Sequence, residues 1–382
     1  MSVVFTQAHE DLRALARDFS AKELAPRAAQ LDRDHAFPTE AWKRAGELGL
    51  LGILVPPDYG GVGLDHVAFC IFVEEMARAD GAVALVLDVT AGIVGECILM
   101  AGTEAQKQKY LPAFCRAESL GAFCLSEPGS GSDAAALHTR AVLKGDHYVL
   151  NGTKTFITNG GVADVYVLMA HTDPAKGSRG ITAFILEKGM PGLSFGPAFE
   201  KMGLHASQTC QVILEDCCVP VENRLGPEGE GFKLALRGLD AARATVGAQA
   251  VGIAQGALDY ALEYTKQREA FGQPVIKNQG LQFFFADMAT QLAAARALTY
   301  QSAWMFDVGH PERVKYAAMA KLFCSEVAAK IVGDAVVMLG GYGYMREYPL
   351  EKMYRDVKAL QIYEGTNHIQ RVVIARHLLG AR

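Results

Sequence analysis

The sequence lacks a surplus of positive charge. Its 37 Lys and Arg face 42 Asp and Glu, a formal net charge of −5, with no lysine- or arginine-rich block. Nucleic-acid binders carry a basic footprint, so no nucleic-acid partner is expected. No apolar run is read as approaching the ~20 residues that span a bilayer, so no membrane partner is expected either. The N-terminus carries His9, Glu10 and Asp11; it has neither the residue order of a secretory signal nor the acid-poor composition of a transit peptide. Eight cysteines, at 70, 97, 115, 124, 210, 217, 218 and 324, form no Cys-x-x-Cys pair and no metal-ligand spacing. They read as buried, reduced thiols in a cytoplasmic protein without a metal site, not as a disulfide scaffold. There is no internal repeat and no low-complexity tract.

What is there is a globular composition. Hydrophobic residues make up 50% and charged residues 21%, which excludes wholesale disorder. A chain of 382 residues predicts two or three domains. Its 39 glycines are about one residue in ten, more than the usual ~7%, and mark turns and close backbone approaches.

The hydrophobic period changes twice. Residues 5–31 carry Leu12, Leu15, Ala16, Phe19 and Leu24 at helical spacing, Thr39 is placed to cap a second helix, and further helical patterns cover 66–78, 82–101 and 104–115. Between about 120 and 225 the runs are short and β-branched. Ala141–Leu143 and His147–Leu150 flank the hairpin signal Gly145-Asp146, and Val165–Ala170, Ile181–Glu187 and Gln211–Leu214 follow. After Gly231 the helical period returns in long patterns, the third of them starting at Pro311, and a last helix covers 366–379. The expected architecture is α+β: an N-terminal all-α domain (1–120), a middle β-barrel or sandwich-like domain (121–226) and a C-terminal four-helix bundle (227–382).

Several residues invite chemistry. The loop Glu127–Asp133 offers glycine backbone and two hydroxyls to a phosphate, although it lacks the third glycine of a dinucleotide fingerprint. Gly340-Gly341 follows a long helix, where a C-cap is the plainer reading than a phosphate loop. Asp240 and Arg243 share a helix face, where an exposed ion pair is the plainer reading. Arg268 can meet a phosphate or cap carbonyls. Glu364, between an aromatic and a glycine just ahead of the final helix, is either a favourable dipole partner or a desolvated general base.

Six segments in order resemble the acyl-CoA dehydrogenase family of flavoenzymes, over essentially the whole chain: Leu125–Ser132 (LSEPGSGS), Lys154–Asn159 (KTFITN), Met202–Thr209 (MGLHASQT), Arg268–Gly272 (REAFG), Leu339–Tyr344 (LGGYGY) and Tyr354–Asn367 (YRDVKALQIYEGTN). The resemblance implies bound FAD. Phe123, Leu125, Ser126, Gly131, Ser132, Phe156, Ile157 and Thr158 would line it from the middle domain, and Thr366 and Asn367 from the C-terminal side. Phe156 stands where tryptophan is often found, and Thr158 is the residue expected to reach flavin N5. A neighbouring subunit would supply Arg268, Phe271, Gln279, Val337, Gly340 and Gly341 to the adenine end, implying a homodimer usually assembled into a homotetramer. Val337 replaces a common glutamine, and His205 a common arginine.

The resemblance also implies a short- or medium-chain acyl-CoA substrate, held by Ser132, Asp240, Arg243 and Gly365. Glu364 matches the catalytic base of that type, whereas the isovaleryl type carries its base at the position of Ala242. The base would remove the α-proton as the β-hydrogen leaves as hydride to the flavin, giving a trans-2-enoyl-CoA. The Glu364 N–H and an FAD ribityl hydroxyl would stabilise the enolate, and electrons would pass to electron-transfer flavoprotein. The alternatives are a same-fold oxidase or monooxygenase, a branched-chain or otherwise specialised dehydrogenase, and a catalytically silent FAD-binding scaffold.

Overall fold

Caps and prolines set the helix boundaries of the first third. The computed structural model describes residues 3–380. The helices are α1 (Gln7–Phe19), α2 (Ala28–Asp34), α3 (Thr39–Glu47), α4 (His66–Ala79), α5 (Gly81–Val89), α6 (Gly95–Ala101) and α7 (Glu104–Cys115). Thr103 caps α7 through a reciprocal box with Gln106 (Oγ1 accepts from Gln106 N at 3.2 Å). The pattern over 5–31 is broken by a π-helical turn at Ser20–Leu24 and by Pro26, which cannot continue a helix. Thr39 is the first helical residue instead of the cap; Pro38 holds that position without a side-chain bond.

The stretch Gly81–Ala101 corrects the expectation about apolar runs. By length and composition it matches a membrane span, yet 78% of its apolar window is buried inside the protein. Asp88 and Glu96 interrupt it in the sequence, and a π-helical turn at Thr90–Val94 divides α5 from α6.

The middle of the chain forms one eight-stranded sheet. Its strands are β1 (Gly121–Cys124), β2 (Arg140–Lys144), β3 (His147–Thr158), β4 (Val165–His171), β5 (Ile181–Glu187), β6 (Leu193–Phe195), β7 (Thr209–Pro220) and β8 (Arg224–Leu225). The order is β6-β7-β3-β2-β4-β5-β8, with β1 added parallel to β4. The Gly145-Asp146 hairpin closes at the Lys144–His147 pair, with Gly145 at φ 65°. Strands β1, β6 and β8 are too short to show alternation in sequence.

Helix α8 (Gly231–Gln267) is followed by a small hairpin, β9 (Glu269–Ala270) and β10 (Gln273–Pro274), and then by α9 (Gln279–Asp307), α10 (Arg313–Met338), α11 (Pro349–Ala359) and α12 (Asn367–Leu379). Helices α8, α9 and α10 pack on one another and α12 rests on α10, while α4 of the N-terminal domain packs against α8. Small residues permit the approach: a Cβ at Gly252 would sit 2.2 Å from the Glu74 carbonyl oxygen. Helix α10 begins two residues after Pro311. Helix α11 was not anticipated, although Leu350, Met353, Val357 and Leu360 follow helical spacing behind Pro349.

Two contacts, the first of them buried, tie the three parts together. The Lys352 ammonium donates to Asp80 (3.0 Å), the cap of α5, and to Asp356 (2.6 Å), which also accepts from the Leu204 N–H (2.6 Å). His205 stacks on His35 with ring centroids 4.1 Å apart, and its Nδ1 lies 3.0 Å from Asp32. The residue that stands in place of arginine thus pins the middle domain to α2.

Candidate active site

Glu364 and Gly365 reverse the chain between α11 and α12, both with positive φ (55° and 83°). A left-handed glutamate costs on the order of 1 kcal/mol, so its neighbours must hold it there. Gln370 Nε2 donates to the carbonyls of Glu364 (3.1 Å) and Gly365 (2.8 Å), and Lys321 Nζ donates to Gly365 O (2.8 Å). Thr366 caps α12 by accepting from Ile369 N at 3.3 Å. The Asn367 side chain is engaged by Lys321 (2.9 Å) and Ser325 (3.0 Å).

One oxygen of the Glu364 carboxyl, Oε2, is buried without a hydrogen-bond partner among the described residues. Burial pushes this carboxyl up, and the charges of Arg243 and Lys321 pull it back, leaving it at about 7. A carboxyl that titrates near neutrality is suited to accept a proton. The Glu364 N–H also has no acceptor among the described residues. Arg243 is buried, donates to Asp240 at 2.6 Å and keeps an unpartnered Nε, so the pair is a buried fixture of the site and not a solvated ion pair. Position 242, on the same helix, is alanine.

The loop after β1 is anchored from beneath. Lys154, fully buried, donates to Glu127 (2.8 Å) and to the Leu125 carbonyl (3.1 Å). Burial would push the Glu127 carboxyl up, but Lys154, the Thr139 hydroxyl and the His138 N–H outweigh it and hold it low. Above this anchor the loop stays open, and a Cβ at Gly129 or Gly131 would touch nothing within 4 Å. Ser132 is exposed; Phe123 and Ser126 are half-buried.

An extra residue in β3 makes a bulge between Lys154 and Ile157, with Phe156 at φ 57°. The bulge turns the Phe156 ring outward, 70% exposed, beside Phe199 at 5.3 Å. Leu125 and Ile157 point into the core and can offer only main-chain atoms, while Thr158 is half-buried. A flat aromatic ledge beside an open glycine loop fits a planar ring with a phosphate tail, as the flavin reading requires.

The residues expected at the adenine end gather elsewhere. A groove of about 620 Å³ is lined by Tyr264, Arg268, Gly340, Gly341 and Tyr342 among others, with the Arg268 guanidinium 5.5 Å from the Tyr342 ring. Gly340 and Gly341 leave open space. Phe271, at the tip of the β9–β10 hairpin, is 99% exposed, and Gln279 and Val337 are also exposed, outside the groove lining. This groove shares no lining residue with the Phe156 ledge.

Four residues near Glu364 carry no sequence signal: Lys321 and Gln370, which bond the main chain at Glu364–Gly365, Asp88, whose carboxyl feels the Glu364 charge, and Gln249, which bonds the adjoining Tyr363. Asp88 accepts from Thr245 Oγ1 at 3.1 Å, while Gln249 bonds the Tyr363 hydroxyl and donates to Gly81 O at 2.7 Å. All lie in helices, where each reads as an ordinary polar position. Among the described residues no group of His, Cys, Asp and Glu could hold a metal ion.

Family profiles described as acyl-CoA dehydrogenase N-terminal, middle and C-terminal domain match residues 6–118, 122–217 and 229–379. The chain is 47% identical to the short-chain specific acyl-CoA dehydrogenase, mitochondrial, of Mus musculus, covering 99% of this chain and 92% of that one. It superposes on butyryl-CoA dehydrogenase from Megasphaera elsdenii with a TM-score of 0.97 at 44% identity, covering 99% and 100% of the two chains. An acyl-CoA dehydrogenase complexed with FAD from Bacillus anthracis matches with a TM-score of 0.93 at 37% identity, covering 98% of this chain and 68% of that one.

Proposed function

This chain belongs to the acyl-CoA dehydrogenase family of oxidoreductases, and from that premise we propose that it desaturates a short- or medium-chain acyl-CoA thioester between its α and β carbons, with Glu364 as the base. The observation that carries this reading is the Glu364 carboxyl, one oxygen sealed and unpartnered, facing the charges of Arg243 and Lys321. The short-chain and butyryl-CoA relatives support a short acyl group.

Phe156, Thr158 and the 125–132 loop would hold FAD, with Thr366 on the C-terminal side. Bound FAD supplies the acceptor for the β-hydrogen and its electron pair. The chain's own residues handle the proton. Glu364 takes the α-proton on its carboxylate as that C–H bond breaks. The unpaired Glu364 N–H is a donor for the thioester oxygen, where negative charge develops, as in an oxyanion hole. Ser132, Asp240, Arg243 and Gly365 would contact the CoA thioester, and Arg243 holds its place through Asp240.

The Arg268–Gly341 groove would receive the adenine end of a neighbouring subunit's FAD. Its separation from the Phe156 ledge supports a homodimer, with a homotetramer as the expected assembly, and so do the exposed Phe271, Phe283 and Val337. Electrons would leave to electron-transfer flavoprotein. The test is anaerobic titration of the purified yellow protein with butyryl-CoA. The flavin band should bleach, and reoxidation should be faster with electron-transfer flavoprotein than with oxygen. Rapid peroxide formation would favour an oxidase instead.

A further inference from the structure

Asn159 ends the segment Lys154–Asn159, one residue past Thr158. It is fully buried and has a left-handed φ of 63°, which asparagine tolerates better than most residues. Its N–H donates to the Gln208 carbonyl at 2.8 Å, and its carbonyl accepts from the N–H groups of Val162 (3.0 Å) and Ala163 (2.7 Å). The chain therefore turns sharply at the end of β3.

The side chain reaches two other elements. Nδ2 donates to the Gly121 carbonyl, at the start of β1, at 3.2 Å, and to the Val86 carbonyl of α5 at 3.5 Å. Gly121 is held in turn by Thr90, whose Oγ1 accepts from the Gly121 N–H at 3.0 Å. The Asn159 Oδ1 is buried with no partner among the described residues. Reversing the amide would set that oxygen against two carbonyl oxygens, so its orientation is fixed. An orphan acceptor costs stability, and here it accompanies a clip that joins the end of β3 to β1 and α5.

Thr158 depends on such a clip. The bulge between Lys154 and Ile157 interrupts the β3–β7 ladder, and beyond it only the pairs Ile157–Cys210 and Thr158–Thr209 hold the strand end. The Thr158 side chain is half-buried, and its hydroxyl has no hydrogen-bond partner among the described residues. We propose that Asn159 is a positioning residue for that hydroxyl: it touches neither cofactor nor substrate, and holds Thr158 where it would meet the flavin. The proposal rests on the flavin reading of Thr158 above.

The experiment is a double-mutant cycle on the holoenzyme with Thr158→Ala and Asn159→Gly, since glycine keeps the left-handed turn and loses the amide. Two quantities are read: the rate of anaerobic flavin reduction by butyryl-CoA, and the midpoint potential of the bound flavin without substrate. Thr158→Ala should slow reduction about tenfold, as for the loss of one hydrogen bond, and shift the potential. Asn159→Gly should slow it by a similar factor and shift the potential in the same direction. The double variant should change neither quantity further. Additive effects, or wild-type rate and potential in Asn159→Gly, would overturn the proposal. If glycine is not tolerated, Asn159→Ala takes its place in the cycle; loss of the fold in both variants would show that the amide serves stability alone and would overturn the proposal too. Thr158→Ala without effect on either quantity would overturn the flavin reading of Thr158 and the proposal with it. No bleaching of wild type by butyryl-CoA would overturn the acyl-CoA reading, and the potentials would still decide the role of Asn159.

Discussion

Gln370 holds Glu364 by its main chain, with Nε2 donating to the Glu364 carbonyl at 3.1 Å and to the next carbonyl at 2.8 Å. The left-handed φ of Glu364 depends on such ties, and Gln370 is fully buried. Gln370→Leu removes both bonds and leaves the Glu364 carbonyl without its side-chain donor, while Gly365 keeps Lys321. The expected result is about 1–3 kcal/mol lost in urea unfolding, with kcat for flavin reduction falling more than KM rises.

Activity should depend on pH through Glu364. The base must be ionised to take a proton, and its carboxyl titrates at about 7. The kcat/KM for flavin reduction should therefore rise with pH, pass half-maximum near that value and level off above it. Lys321→Met removes one of the two charges that pull this carboxyl down, so the midpoint should move upward. A pH profile of the two proteins checks both statements.

The loop that would face the flavin rests on the Lys154–Glu127 pair. Breaking a buried pair by removing one member leaves an uncompensated charge, at about 3–5 kcal/mol. Lys154→Met should lower the melting temperature and yield protein with less bound FAD, measured by the absorbance ratio of flavin to protein.

The same pair shows what was legible in the sequence. Lys154 and Glu127 lie in family motifs, so their importance was readable, but not that they meet, because 27 residues separate them. The hairpin at Gly145 is local and was visible as such. The helix at Pro349–Ala359 has a readable period that the surrounding motif obscured. The environment of Glu364 was not legible, since Asp88, Arg243, Lys321 and Gln370 come from four helices. Asp88 also made the stretch 81–101 look less apolar than its burial makes it.

His66 joins α4 to α6 and α9, with Nδ1 2.7 Å from Asp307 and Nε2 2.8 Å from Glu96. Burial alone would pull its pKa down, but the two carboxylates outweigh it and raise it to about 10, against 6.5 unperturbed. The stabilisation from charged His66 is complete below about pH 6.5 and is lost as pH rises through 10. In urea titrations across that interval, wild type should lose stability more steeply than His66→Gln. Parallel curves would contradict this.

The account centres on one carboxyl, and Glu364→Gln tests it most directly. The variant keeps the shape and loses the proton acceptor, so the purified protein should stay yellow. Mixed anaerobically with butyryl-CoA in a stopped-flow instrument, it should fail to bleach its flavin on the wild-type timescale. Bleaching at the wild-type rate would show that another group takes the α-proton and would contradict the account.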